Sequence, residues 1–148
     1  MTTGAAPAKS PPVILLGLLS ILEGLTFLVG GALHLGLRLP LGFTTLAEPM
    51  IIPAAIVEGL AGVGLLLAAG TVGVGAGSAW SATLGAHLFA TGSVLLGMAA
   101  LAAGAGTRTP LNDTYHRTIL AILVVVVIVL LTPSARAAFG QGERGPLS

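Results

Sequence analysis

The 148-residue sequence has no cysteine. Disulfides, thiol catalysis and thiolate-bound metals or clusters are therefore excluded within this chain. Charge is nearly as scarce. Only 7% of residues are Asp, Glu, Lys or Arg, against roughly 25% in soluble domains. That leaves too little polar surface to cover a water-soluble globule. The net charge is +1 and no basic cluster occurs, so no nucleic-acid surface is expected. Four Phe, one Tyr and one Trp leave little material for a large aromatic cofactor pocket. No G-x-S-x-G, P-loop or dinucleotide glycine motif stands between a strand and a helix, so a soluble hydrolase is not supported.

What is present is hydrophobic, 55% of the chain, and arranged in long runs. Four spans emerge at about 13–36, 50–70, 79–103 and 110–132. Each is near the ~20 residues needed to cross a bilayer. Lipid offers no partners to backbone polar groups, so such spans must be helices. The expected class is all-α, an integral membrane four-helix bundle. Residues 1–12 read as a disordered tail and 133–148 as a flexible one. TVGVGAGS, residues 71–78, reads as a linker. The run after Lys9 is too long for a signal peptide, contains Glu23 and lacks an A-x-A site, so it reads as a retained first span.

Five Arg against one Lys, with abundant Gly and Ala, fits a GC-rich bacterial genome. The expected location is the bacterial cytoplasmic membrane. An even number of spans puts both termini on one side. Lys9, Arg136 and Arg144 then oppose Arg38, Arg108 and Arg117, a tie under the positive-inside rule. The α-amino group and the interfacial place of Arg117 tilt the expectation to both termini inside.

Small residues fill the spans: Gly17, Gly24 and Gly31 in the first, Ala54, Ala55, Gly59, Gly62 and Gly64 in the second, Ser81, Gly85 and Gly92 in the third. They allow membrane helices to approach closely. Residues 121–131, AILVVVVIVLL, are bulky all round and are expected to face lipid over much of their circumference.

Glu23 stands in the apolar run GLLSILEGLTFLVGG, residues 17–31. At ~100° per residue it shares a face with Ser20, Thr26, Phe27, Gly30 and His34, opposite Leu18, Ile21, Leu25 and Leu28. Glu58 shares its face with Ala54, Ala55, Ala61 and Gly62, and His87 with Thr83 and Thr91. Counted at ~1.5 Å per residue, Glu23, Glu58 and His87 all fall about 12–15 Å inside their spans. They are expected to meet in one interior pocket. A charge at that depth costs at least ~2.5–3.5 kcal/mol, so such residues face inward and tend to be functional. Two carboxylates there would share a proton or a cation, and His87 would accept a proton or complete a metal site. No helical E-x-x-H pair supports the metal. The plainer alternative is that each Glu is protonated and bonds a backbone carbonyl or a hydroxyl.

A second cluster lies at the other end. His34 is followed by Arg38 and Glu48, and residues 107–118, TRTPLNDTYHRT, supply Asn112, Asp113, Tyr115, His116 and Arg117. Thr109 before Pro110 marks a helix start. Asp113 is expected to pair with His116 or Arg117. The segment reads either as an interfacial anchor or as a headgroup or quinone-head site. In the latter, His34, Tyr115 and His116 exchange hydrogen bonds and Arg117 holds an anion. For haem, His34 and His116 are the only reasonable ligand pair.

FLVGGALHL, residues 27–35, and PAAIVEGLAGVGLLLAAG, residues 53–70, resemble the first two spans of the DoxX-like group of small four-helix bacterial membrane proteins. On that resemblance His34 and Glu58 are the family-like positions, while Glu23 and the NDTYHR segment have no counterpart. The group is associated with membrane redox enzymes, including a quinone-linked thiosulfate oxidoreductase subunit. The resemblance implies a redox neighbourhood; together with the depth of the two acids, the expectation is a membrane subunit or accessory protein of a redox or quinone-linked process, with Glu23 and Glu58 as buried groups that handle protons or a ligand. A redox partner or a homo-oligomer is expected beside the bilayer. The alternatives are a small oligomeric transporter and a structural membrane partner.

Overall fold

The computed structural model describes residues 10–141. The expected disorder of 1–12 therefore falls mostly outside the described residues, as does the tail from 142 onward. Four long helices run antiparallel: α1 Pro11–His34, α2 Ile52–Val74, α3 Ala79–Ala102 and α4 Pro110–Leu131. All four are long and apolar enough to cross a membrane, with mean hydropathy from 1.6 to 2.3.

The boundaries differ from expectation where proline and glycine act. α1 begins at Pro11, two residues early, because proline fits the first helical turn, where its missing N–H has no partner to lose. α2 runs four residues beyond 70. Half of the supposed linker is thus its last turn, ended by Gly75 at φ 69, the left-handed position that glycine adopts without a Cβ clash. Between α1 and α2 lies a short antiparallel hairpin, β1 Leu39–Pro40 with β2 Thr45–Leu46.

The C-terminal segment also departs from expectation. Residues 133–138 form α5, Pro133–Ala138, whose cap is Thr132, accepting from the Ala135 N–H. Here Pro133 is a start signal as well as a stop. α5 and Phe139 close the terminal end of the bundle against Val13, Val72 and Ala79. Arg136 lies 4.8 Å over the Trp80 ring, and the Trp80 indole donates to the Leu130 carbonyl at 2.9 Å.

The tightest interface is α1 with α2, followed by α2 with α3 and α3 with α4. Glycine explains the first. A Cβ at Gly62 would lie 2.8 Å from the Gly24 carbonyl oxygen, and one at Gly31 would lie 3.0 Å from that of Ala55. Gly17 abuts Val72. By contrast, a Cβ added at Gly59, Gly64, Gly85 or Gly92 would meet nothing within 4 Å, so no helix approach depends on the missing side chain at those positions, although the Gly59 amide itself lies beside Gly31. The core runs through Phe27, Leu65, Ala90, Val94 and Leu123. α4 buries one stripe, Leu123, Val126 and Leu130, and exposes Val125 and Ile128 between, as its bulky composition suggested.

Candidate functional site

The stripe on α1 holds in its main residues. Ser20, Glu23, Phe27 and His34 are buried and Leu18, Ile21 and Leu25 exposed, while Thr26 and Gly30 of the stripe and Leu28 opposite it are half-buried. Glu23 is the twelfth residue after Pro11, near the middle of the helix. Across the bundle His87 of α3 meets it: Nε2 stands 2.8 Å from Glu23 Oε2, with both side chains sealed from solvent. His87 Nδ1 lies 2.7 Å from the Thr83 carbonyl. A carbonyl only accepts, so Nδ1 carries its proton and Nε2 is the atom that faces the carboxylate. The carboxylate lies off the direction of the ring N–H, and neither Glu23 oxygen has a well-formed hydrogen bond. Thr83 and Ser20, also fully buried, bond back to carbonyls of their own helices.

Glu58 lies elsewhere. It is six residues into α2, about 9 Å from the hairpin end, shallower than the sequence count placed it. Its carboxylate rests against Gly30 and its Cβ against Gly31, seven and eight residues past Glu23 on α1, a separation of ~10–12 Å. The two acids therefore do not share one pocket. The cause is register: α1 and α2 run antiparallel, Glu58 stands six residues from the hairpin end of α2, level with Gly30 and Gly31, and Glu23 stands seven to eight residues deeper on α1. The tilt of Cα–Cβ bonds toward each helix N-terminus adds slightly to that separation.

Around Glu58 gather both remaining histidines. Its Oε1 is 3.3 Å from His116 Nε2 and 3.9 Å from His34 Nε2. His34 donates from Nδ1 to the Pro49 carbonyl at 3.0 Å, which fixes its Nε2 toward the carboxylate. Three buried polar atoms here lack hydrogen-bond partners: Glu58 Oε2, Tyr115 Oη and His116 Nδ1. Native interiors satisfy nearly all such atoms, so these point to a ligand or to water.

Two cavities adjoin the cluster. One, of about 300 Å³, is walled by apolar groups including Phe27, Val57, Val94 and Leu101, and its polar lining is His34, Glu58, Ser93, Asn112 and His116. The other, of about 180 Å³, is lined by Thr26, Gly30, Glu48 and Tyr115 together with His34, Glu58 and Asn112. Glu58 thus stands on the wall between them.

Of the sequence candidates, Glu23 and His87 come together, and Glu58, His34, His116 and Tyr115 come together. Arg117 does not join either group; it is exposed. Asp113 pairs with neither His116 nor Arg117. It binds Arg108 at 2.6 Å, because Arg108 precedes the helix and reaches back to its first turn. That hydrogen bond holds the Arg108 guanidinium above its ordinary range. His34 and His116, the pair considered for haem, both aim Nε2 at one carboxylate oxygen. Among the described residues no group of three His, Cys, Asp or Glu is placed to hold a metal ion. Asn112 and Gly30 were missed as site residues. Asn112, buried and lining both cavities, stands one helical turn before His116. Gly30 stands on the Glu23 stripe, where an absent side chain gives no signal of what fills its place.

The chain matches no family model, no curated protein and no solved structure.

Proposed function

We propose that this chain is a membrane-embedded accessory protein of a redox process, binding a quinone-type molecule in the larger cavity. The carrying observation is the placement of Glu58 Oε1 between two imidazole nitrogens on the wall of an otherwise apolar cavity. Sites for apolar ligands have this makeup: hydrophobic walls with a few convergent polar groups that fix orientation. At about 300 Å³ the cavity suits a single-ring headgroup, at the small end of such sites. A bound quinone would supply the electron-accepting chemistry. His116, His34 and Asn112 would orient its carbonyl oxygen, and Glu58 would hold a proton beside it. The electrons would come from a partner oxidoreductase. The likeness of residues 27–35 and 53–70 to DoxX-like proteins supports the same reading.

Titration of the purified protein in lipid nanodiscs with a short-tailed benzoquinone tests it. Saturable binding that weakens about tenfold in Glu58→Gln, ~1.4 kcal/mol, is the expected result. Binding indifferent to Glu58→Gln and His116→Ala would sink the reading.

One observation favours a second reading, a small oligomeric transporter: the Glu23–His87 pair at mid-helix depth. Solute uptake into proteoliposomes, abolished by Glu23→Gln, would select it. A purely structural partner would show neither binding nor uptake.

A further inference from the structure

The larger cavity is walled on three sides. Phe27 and Val94, both buried, close it toward the bundle interior. Glu58, His34, His116 and Asn112, also buried, form its polar wall. At the hairpin end Ile51 and Leu101 meet over it, with Gly106 against both: a Cβ on Gly106 would stand 3.4 Å from Ile51 and 3.1 Å from Leu101. Ile51 is held there by its amide, which donates to the His34 carbonyl at 3.1 Å. Apolar side chains thus cover the end of the cavity.

The fourth side lies between α2 and α3. There Ala54 and Val57 of α2 and Gly97 of α3 are half-buried, and Leu96 is 66% exposed. Leu96 stands six residues before the end of α3, about 9 Å in, so the cavity reaches the outer surface well inside the apolar span. Gly97 leaves its part of the rim empty, since a Cβ there would meet nothing within 4 Å. No charged residue occurs between Glu58 and Arg108, a stretch that covers the rest of α2 and all of α3.

We propose that the larger cavity is filled from the bilayer: a membrane-dissolved ligand with one polar ring and a long apolar tail enters between α2 and α3, lays its ring against Glu58 and leaves its tail in lipid. A volume of about 300 Å³ holds a ring but no long tail, so the tail must occupy the mouth. Each methylene of such a tail favours hydrocarbon over water, which concentrates the ligand on the side where the cavity opens. A water-borne ligand would have to pass Ile51 and Leu101 and would meet no charge on the way. The small residues Ala54 and Gly97 keep the portal wide enough for a chain.

This inference rests on the ligand reading above and adds the class of ligand and its route, so one of its two tests uses no quinone. Gly97→Phe narrows the mouth from α3. The full chain in lipid nanodiscs is titrated with a decyl-substituted benzoquinone and with the same ring lacking the tail. Gly97→Phe is expected to weaken the tailed compound about tenfold and the tail-less one less than twofold. Gly85→Phe, on α3 but outside both cavities, should change neither. Without quinone, a nitroxide carried on a lipid chain reports access from the bilayer through its broadening of the His116 imidazole resonance, with His87, which lines neither cavity, as reference. That broadening should fall toward the His87 level in Gly97→Phe. If Gly97→Phe fails to fold, Ala54→Phe, on the facing rim, takes its place in both tests. Broadening of His116 that Gly97→Phe leaves unchanged would overturn the portal. Loss of both benzoquinones alike, or of neither, would overturn the route given to the tail. A protein that binds neither compound, yet shows the broadening and its fall in Gly97→Phe, would keep the portal and sink the quinone reading.

Discussion

The molecule contains the same chemical pair twice, and the two copies differ in everything but composition. Glu23 and His87 meet at mid-helix, 2.8 Å apart, sealed from solvent and lining neither cavity. Glu58 meets His116 and His34 nearer the hairpin end, at 3.3 and 3.9 Å, with cavities on both sides. The first joins α1 to α3, helices whose backbones pack together only sparsely, and so ties the bundle across its interior. The second is more loosely held. Each site leaves three buried polar atoms without a hydrogen bond, but only the second borders cavities. A buried carboxylate needs its partner most where nothing else can replace it. The sealed pair therefore has the makings of a structural tie, and the open one those of a site that exchanges protons or ligand.

Deleting one partner from each pair breaks or supports that contrast most directly. His87→Ala leaves the Glu23 carboxylate buried with no counterpart, which is expected to cost about 3–5 kcal/mol of stability. His116→Ala should cost clearly less, because Glu58 retains His34 and borders space that admits water. Thermal unfolding of both variants in the same nanodiscs measures the gap. Equal losses would erase the distinction between tie and site.

Glycines sharpen it next. Gly62→Ala drives a Cβ to 2.8 Å from a backbone oxygen that cannot move aside. The α1–α2 contact must open, at about 1–3 kcal/mol. Gly30→Ala meets only the tip of the Glu58 side chain, so the fold should survive with a small loss while the site is disturbed. A Gly30→Ala variant that melts as early as Gly62→Ala would mean that the space at Gly30 is part of the packing rather than of the site.

Affinity should separate the pairs as well. Glu58→Gln is expected to weaken benzoquinone binding about tenfold. Glu23→Gln, which keeps the shape of a side chain remote from both cavities, should leave binding within about twofold. Parallel titrations would reverse the assignment of roles if Glu23→Gln proved the more damaging.

Much of this was legible in the sequence because it depends on local periodicity. The four spans follow from runs of apolar residues, and the buried stripe of Ser20, Glu23, Phe27 and His34 from spacing on one helix. Thr109 before Pro110 marked the start of α4. Which acid meets which histidine was not legible. That depends on the rotation of each helix about its axis and on the register of α1 against α2, which sets Glu58 level with Gly30 and Gly31 rather than with Glu23. The hairpin was hidden because two-residue strands leave no alternating pattern. α5 was hidden because Pro133, read as the end of α4, is also the first turn of another helix.

The smallest expected effect concerns how the hairpin end is held. Thr109 does two things at once: its hydroxyl donates to Glu48 at 2.9 Å, and its oxygen accepts the Asn112 N–H at 3.0 Å, capping α4. Thr109→Ala removes both, and loss of such a cap costs about 1 kcal/mol. Thr109→Ser keeps them and should restore stability. The informative comparison is with the sealed pair. The Thr109 contacts lie at the mouth of the smaller cavity, so Thr109→Ala should release Glu48 and disturb the histidines around Glu58. The environment of Glu23 and His87, more than a helical turn deeper, should not change. Histidine nuclear magnetic resonance can read both sites in one sample. A perturbation confined to His34 and His116 would establish that the two pairs are independent. One that reached His87 equally would mean that the bundle transmits changes from end to end, and that the sealed pair is coupled to the open one.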